Sequence, residues 1–288
     1  MNDFLTPENV AKRLLANLYA ARGVSATLHN DHSDEFQPGK GRTVNVRKPA
    51  VFSSQVYNRN TGITRQDISE TFVPVSLDTI RDVSVLVTSE EWTMDIEDFD
   101  AQVLSGMGEA LAQDMDKDVI AALKANAVGT VEGNEDPRVL AAASGVLGRR
   151  NVPQANRNAL ISPEAHALWL ADPLFHEADK IGNTDGVREG MLGRRVFGFD
   201  VFETSNVEAD VTGDYGIAYH KDTLAVVSRP LAVPRGAVNA ATVSYGGLSI
   251  RVTYGYDQDA KADTISADIL YGIHALDGNR ATLLRPTA

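Results

Sequence analysis

The stretch DIEDFDAQVLSGMGEALAQDMDKDVIAAL, Asp95 to Leu123, decides how the rest of the chain is read. Asp95 suits a helix N-cap. Glu97 and Asp98 follow in the first turn, where the positive end of the helix dipole favours carboxylates. Ile96, Phe99, Val103, Met107, Ala110 and Leu111 recur at spacings of three and four, so they share one face. Asp98, Gln102, Ser105, Glu109, Gln113 and Asp116 fall on the opposite face. Asp114 interrupts the apolar face, and Met115, Val119 and Leu123 carry it round the helix. The pattern predicts one helix over 95–127. That is roughly 30 residues, or about 45 Å at 1.5 Å per residue, enough to touch different neighbours along its length.

Upstream, Asp82 to Thr88 alternates Val83, Val85 and Val87 and reads as a strand. Before it, TVNVRKPAVF (43–52) and ISETFVPV (68–75) flank the turn-like NRNTG (58–62), and Pro74 marks an exposed edge. This predicts a long two-stranded arm. Such a ribbon is marginal alone in water, so something must support it. At the amino end, Thr6, Pro7 and Glu8 open a helix to Ala21 with an apolar stripe of Val10, Leu14, Leu15 and Leu18. A helix of this length is marginal alone, so the stripe needs a partner. That partner is expected to be a scaffolding protein or a neighbouring copy.

Downstream, Asp136-Pro137 opens a helix to about Arg149, ALIS (159–162) reads as a buried strand, and Ser162-Pro163 opens a short helix. Phe175 to Glu189 is polar and reads as a mobile loop. Val196 to Phe202 and Gly216 to Tyr219 read as strands, followed by a short helical segment near Thr223 to Val227. Leu248, Ile250, Val252, Tyr254 and Tyr256 alternate with polar residues, as do Ile265, Ala267, Ile269, Tyr271 and Ile273. Gly246-Gly247 before the first of these suits a tight hairpin.

The chain has 288 residues, 43% hydrophobic and 23% charged, with no cysteine and a net charge of −12. Disulfides, thiolate zinc sites and cysteine nucleophiles are thereby excluded. No apolar run is long enough to cross a membrane, and the first residues lack the layout of a secretory signal. Strong acidity disfavours a sequence-specific DNA-binding protein, which needs a basic surface. The charge is also segregated. Between Phe36 and Arg65 lie Lys40, Arg42, Arg47, Lys48, Arg59 and Arg65, with no acid among them. Between Glu90 and Asp118, ten acids face Lys117 alone. This predicts that the basic arm of one copy lies over Asp98, Glu109, Asp114, Asp116 and Asp118 of the next.

Catalytic patterns are missing. GKGRT (39–43) lacks the Lys-Ser/Thr ending of a P-loop, and neither G-x-S-x-G nor H-E-x-x-H occurs. HNDHSDE offers His29, Asp31, His32, Asp34 and Glu35 as potential divalent-metal ligands, but a solvated linker is the simpler reading. Asp257, Asp259 and Asp263 lack the EF-hand pattern and fit a hairpin turn. His166 and His176 flank a short helix and read as structural or surface residues. No catalytic residue, metal site or cofactor is expected.

The order of these parts resembles the major capsid (coat) proteins of tailed bacteriophages with the Hong Kong 97 fold, an α+β fold, in the coat-protein branch of short-tailed phages. The segments that carry the resemblance are LTPENVAKRLLANL (5–18), GRTVNVRKPAVF (41–52), QDISETFVPVSLDTIRDVSVLVTSEE (66–91) and DIEDFDAQVLSGMGEALAQDMDKDVIAAL (95–123), with weaker echoes at 151–169 and 198–207. They cover the first 125 residues well and the remainder patchily. The resemblance implies an N-arm over 1–35 and an extended β loop over 36–76. It implies a peripheral domain from 77–128 and 236–288, whose spine helix is 95–127, and an axial domain over 129–235. It further implies pentamers and hexamers in an icosahedral shell around double-stranded DNA held without sequence-specific contacts. Other copies of the chain, a scaffolding protein, a portal and a decoration protein are the implied partners. No membrane is involved, and assembly takes place in the host cytoplasm. Relatives that crosslink use a Lys near the loop tip, which NRNTG lacks. An encapsulin-like shell around protein cargo and, less favoured, a metal-dependent hydrolase using His29, Asp31 and His32 are the rival readings.

Overall fold

The computed structural model describes residues 6–28, 42–48, 54–57, 59–60, 62–63, 65, 71–88, 90, 100–133, 136–172, 195–207, 213–236 and 239–287. The expected cap at Asp95, Asp98 with the first turns of the long helix, the 29–35 cluster, Lys40, His176 and the 175–189 loop lie outside those residues.

The amino-terminal helix forms as the sequence predicts: α1 spans Pro7–Ala21 with Pro7 in its first turn. Thr6 stands at the N-cap, but its side chain makes no capping bond there. The long helix enters through a π turn, Asp100–Leu104, and continues as α2, Ser105–Asn126. Two shorter helices, α3 (Val139–Arg149) and α4 (Pro163–Leu170), follow, and Ser162 caps α4 by accepting from the Ala165 N–H.

Among the described residues two five-stranded sheets and one ribbon hold the strands. The ribbon pairs β1 (Thr43–Lys48) with β2 (Thr71–Ser76) antiparallel, Pro74 opposite Asn45. The first sheet runs β3 (Thr79–Thr88), β11 (Ala262–Ala275), β10 (Leu248–Asp257), β9 (Ala240–Tyr245), and β8 (Leu224–Arg229) joins the carboxyl end of β11. The second runs β4 (Thr130–Glu132), β12 (Ala281–Arg285), β7 (Gly216–His220), β5 (Arg157–Ile161), β6 (Asp200–Glu203). The sheets therefore do not divide at 235/236: β8 belongs to the first sheet and β12 to the second.

Three local expectations change. The short helical segment expected near Thr223 to Val227 is a strand from Leu224 onward. A 3₁₀ turn at Lys221–Thr223 leads into β8, all six of whose residues are buried. LAVVSR is a run of apolar and β-branched residues buried on both faces, which periodicity alone cannot tell from a helix. The strand near 196–202 is shorter than expected, because Phe197 and Gly198 take positive φ in a turn closed by Val196 and Phe199. β12 went unread in the sequence. At Gly246 and Gly247 the expected hairpin turn does form, with φ of 57° and 79°.

α2 is shared between two cores. Met107, Leu111, Ala112 and Met115 pack with α1 against the first sheet. Val119, Ile120 and Leu123 pack with Leu160, Ile217 and Tyr219 of the second. α3 and α4 cover that sheet's other face around Trp169 and Phe199. Ala110, expected on the apolar face, is exposed. Asp116, expected on the polar face, is buried at 7% exposure. Its carboxylate accepts from the backbone N–H groups of Gly23 (2.8 Å), Val24 (3.2 Å) and Ser25 (2.9 Å), closing the 3₁₀ turn that follows α1. Three donors on a buried carboxylate make a strong clamp. Asp116→Asn keeps the shape but turns an amide NH₂ toward N–H groups, and is expected to destabilise the subunit by about 2 kcal/mol in urea titrations.

Candidate assembly surfaces

The base of the ribbon is anchored. Val44, Val46, Val75 and Leu77 are buried against Ala225 and Val227 of β8, which supplies the support that the sequence requires. Gly272 of β11 lies directly beneath, so close that a Cβ there would stand 2.1 Å from the Ser76 carbonyl oxygen. Between Ser54 and Arg65 the described residues are exposed. Val56 is 97% exposed, and Tyr57, Ile63, Arg59 and Arg65 are exposed as well. Arg42 is exposed at the base, and Arg47 and Lys48 lie in β1 opposite Phe72 and Thr71. Among the described residues no group of three His, Asp or Glu side chains is placed to hold a metal ion. Asp257 accepts from the N–H groups of Asp259 and Ala260, the hairpin turn expected of that segment. His166 lies 2.8 Å from Glu203 across α4 and β6. Among the described residues no helix is long and apolar enough to cross a membrane.

No family model matches the sequence, and no curated protein matches it either. Solved structures do. A chain of Mycobacterium phage Che8 superposes with a TM-score of 0.66, covering 91% of each chain at 23% identity. The mature capsid of bacteriophage PhiM1 gives 0.58 at 16% identity, over 86% of this chain and 83% of that one. The capsid of the cyanophage P-SCSP1u gives 0.56 at 15% identity, over 86% and 84%. The chain shares its fold with phage capsid chains. Among the other matches is a virus-like particle from Pyrococcus furiosus, at a TM-score of 0.54 and 13% identity, over 96% and 97%.

Within this capsid fold the acids of α2 separate into two groups. Asp116 and Asp118 are engaged inside the subunit. Asp118 accepts from Nε and Nη2 of the Arg81 guanidinium and from the Tyr271 hydroxyl. Hydrogen bonding to Asp118 raises the Arg81 pKa above its ordinary value, and burial raises that of Tyr271. Glu109 is exposed and meets Ser105 within the helix, and Asp114 reaches Lys117 at 3.9 Å. These two remain available to a neighbour.

The N-arm expectation is corrected. Val10, Leu14, Leu15 and Leu18 do not await another molecule, because all four are buried within the subunit against α2, β9 and β10. A stripe of this width reports that something covers it, and here the chain's own sheet lies within reach.

Proposed function

We propose that this chain is the major capsid protein of a tailed bacteriophage of the Hong Kong 97 type, assembling as pentamers and hexamers into an icosahedral shell around double-stranded DNA. The observation that carries this reading is the fold shared with phage capsid chains along more than four-fifths of both partners. The exposed ribbon supports it, since a basic, partly apolar segment that is seated at its base and exposed at Val56, Tyr57, Arg59 and Arg65 is suited to reaching a second subunit. In this reading 1–35 is the N-arm, 36–76 the extended loop, 77–128 with 236–288 the peripheral part, and 129–235 the axial part. The strand exchange between β8 and β12 modifies the last two. A scaffolding protein, a portal and a decoration protein are the proposed partners. Electron microscopy of the purified chain is expected to show closed shells. A compact monomer under all coexpression conditions would contradict the reading. The fold is also that of a virus-like particle from Pyrococcus furiosus, and a second proposed reading is an encapsulin-like shell around protein cargo. Nucleic acid absorbance in purified particles supports the first, and a co-purifying protein filling the shell supports the second.

The charge segregation has its own test. Arg42, Arg47, Lys48, Arg59 and Arg65 are proposed to face Glu109 and Asp114 of an adjacent copy. A single exposed pair contributes about 0–1 kcal/mol, but a shell repeats each contact many times. Arg47→Glu with Arg59→Glu is expected to lower particle yield at low salt without changing the subunit's melting. Glu109→Lys with Asp114→Lys in the same chain is expected to restore part of it. Raising salt to 1 M, where the screening length falls to about 3 Å, is expected to mimic the reversal. Normal yield from the arm reversals at low salt would remove the proposal.

A further inference from the structure

α3 ends in a connection whose composition sets it apart from the rest of an acidic chain. RRNVPQANR (149–157) carries three arginines, two asparagines and a glutamine and no carboxylate, in a protein of net charge −12. Two of the arginines hold its shape. Arg157 donates from Nε to the Pro153 carbonyl (2.9 Å), from Nη2 to that of Val152 (2.7 Å) and from Nη1 to the Ser144 hydroxyl (3.0 Å). Arg150 donates to the carbonyl oxygens of Val128, Asn279 and Ala281. Asn151 and Asn156 both take φ of 56°, a conformation that asparagine adopts more readily than most side chains. The loop is fixed from inside, and Arg149, Asn151, Gln154 and Asn156 are left exposed.

Two other segments bring further cations to the same loop. Arg195, ahead of β6, donates to the Gln154 carbonyl at 3.4 Å, and the Lys221 N–H, just past β7, donates to that of Asn156 at 3.1 Å. Arg195 is exposed and Lys221 half-buried. Among the described residues no carboxylate pairs with the side chain of Arg149, Arg195 or Lys221. Asp222, next to Lys221, is held by Arg280 at 3.1 Å. The dipole of a helix favours a cation at its C-terminus, which accounts for Arg149. It does not account for Arg195 and Lys221. Cations interleaved with side-chain amides on a rigid loop suit a phosphate backbone: the cations supply affinity, and the amides add hydrogen bonds that read no sequence. The basic ribbon differs, since Val56, Tyr57 and Ile63 stand exposed among its cations and suit a protein surface.

We propose that the 149–157 loop, with Arg195 and Lys221, contacts the phosphates of double-stranded DNA without regard to base sequence, and that this end of the second sheet faces the enclosed molecule. The proposal rests on the reading of a DNA-enclosing shell and names the surface that meets the DNA.

The test reads the salt dependence of binding. Unassembled subunits of the full chain are titrated into a fluorescent DNA duplex of arbitrary sequence at several salt concentrations. One variant combines Arg149→Gln, Arg195→Gln and Lys221→Gln. A second combines Lys12→Gln, Arg235→Gln and Lys261→Gln, which are exposed, lie outside the second sheet and change the charge equally. Each phosphate contact contributes about 0.9 to the slope of log K against log salt, so the first variant is expected to lower that slope by about 2–3. Its affinity at low salt is expected to fall on the order of tenfold or more, with melting unchanged. The second variant is expected to bind as the unsubstituted chain does, and a duplex of unrelated sequence is expected to bind equally. No binding by the unsubstituted chain at low salt, or equal losses in the two variants, overturns the loop proposal and leaves the shell reading standing. Unchanged binding with reduced particle yield overturns it as well and assigns the loop to an acidic surface of a neighbouring copy. Particles filled with protein and free of nucleic acid overturn the DNA-enclosing reading, and the loop proposal with it.

Discussion

Replacing Leu14 and Leu18 together by alanine is expected to destabilise the isolated subunit by about 5 kcal/mol, seen as a lower urea midpoint by circular dichroism. Both side chains are fully buried, in the cluster that joins α1 to Met107 and Leu111 of α2 and to Ile250 and Val252 of β10. Each truncation removes contacts on three sides, and a close-packed core relaxes into such a gap only in part. The two sites lie one helical turn apart, so their effects need not add. A loss below about 1 kcal/mol would mean that α1 leaves the sheet in solution. The stripe would then be free for a scaffolding protein, as the sequence alone suggests. The prediction thus separates the two accounts of the arm by a measurement on unassembled protein.

The stripe also marks where the sequence stops being informative. Periodicity identified α1, α2, the ribbon, β3, β10 and β11, because each buries one face and leaves the other wet. It could not identify β8, which is buried on both faces and so carries no alternation. Nor could it assign Asp116. A carboxylate on the polar side of a helix reads as solvated unless one knows that Gly23, Val24 and Ser25, more than ninety residues earlier, turn back onto it. For the candidate surfaces the outcome divides in the same way. The charge segregation was legible because it is a property of composition along the chain. Which acids remain available was not, since Asp118 is occupied by Arg81 and Tyr271 from two different strands.

Gly272→Ala is expected to have the largest effect on assembly of any single methyl group in the described chain. The added Cβ would stand 2.1 Å from the Ser76 carbonyl oxygen and 2.9 Å from its carbon, where ordinary contact begins at 3.4 Å. The obstacle is backbone, so no rotamer change relieves it. Gly272 is also held within its sheet, paired with Val227 across β11 and β8. The ribbon is the freer partner, and it must lift by about 1 Å or more, with overpacking of this kind costing about 1–3 kcal/mol. Lifting it opens the contact of Val44, Val46, Val75 and Leu77 with Ala225 and Val227, which sets the direction in which the ribbon leaves the subunit. A small tilt at the base becomes a large displacement at Val56, so the tip misses its neighbour even while the subunit stays folded. The expected result is a modest fall in the urea midpoint with particle yield reduced on the order of tenfold or more, since each 1.4 kcal/mol lost from a contact is a factor of ten. Gly255→Ala is the control, because a Cβ there meets nothing nearer than Thr264 at 4.0 Å in the same sheet. It is expected to assemble normally. Equal yields from the two variants would show that the ribbon's seat on β11 does not govern where its tip goes.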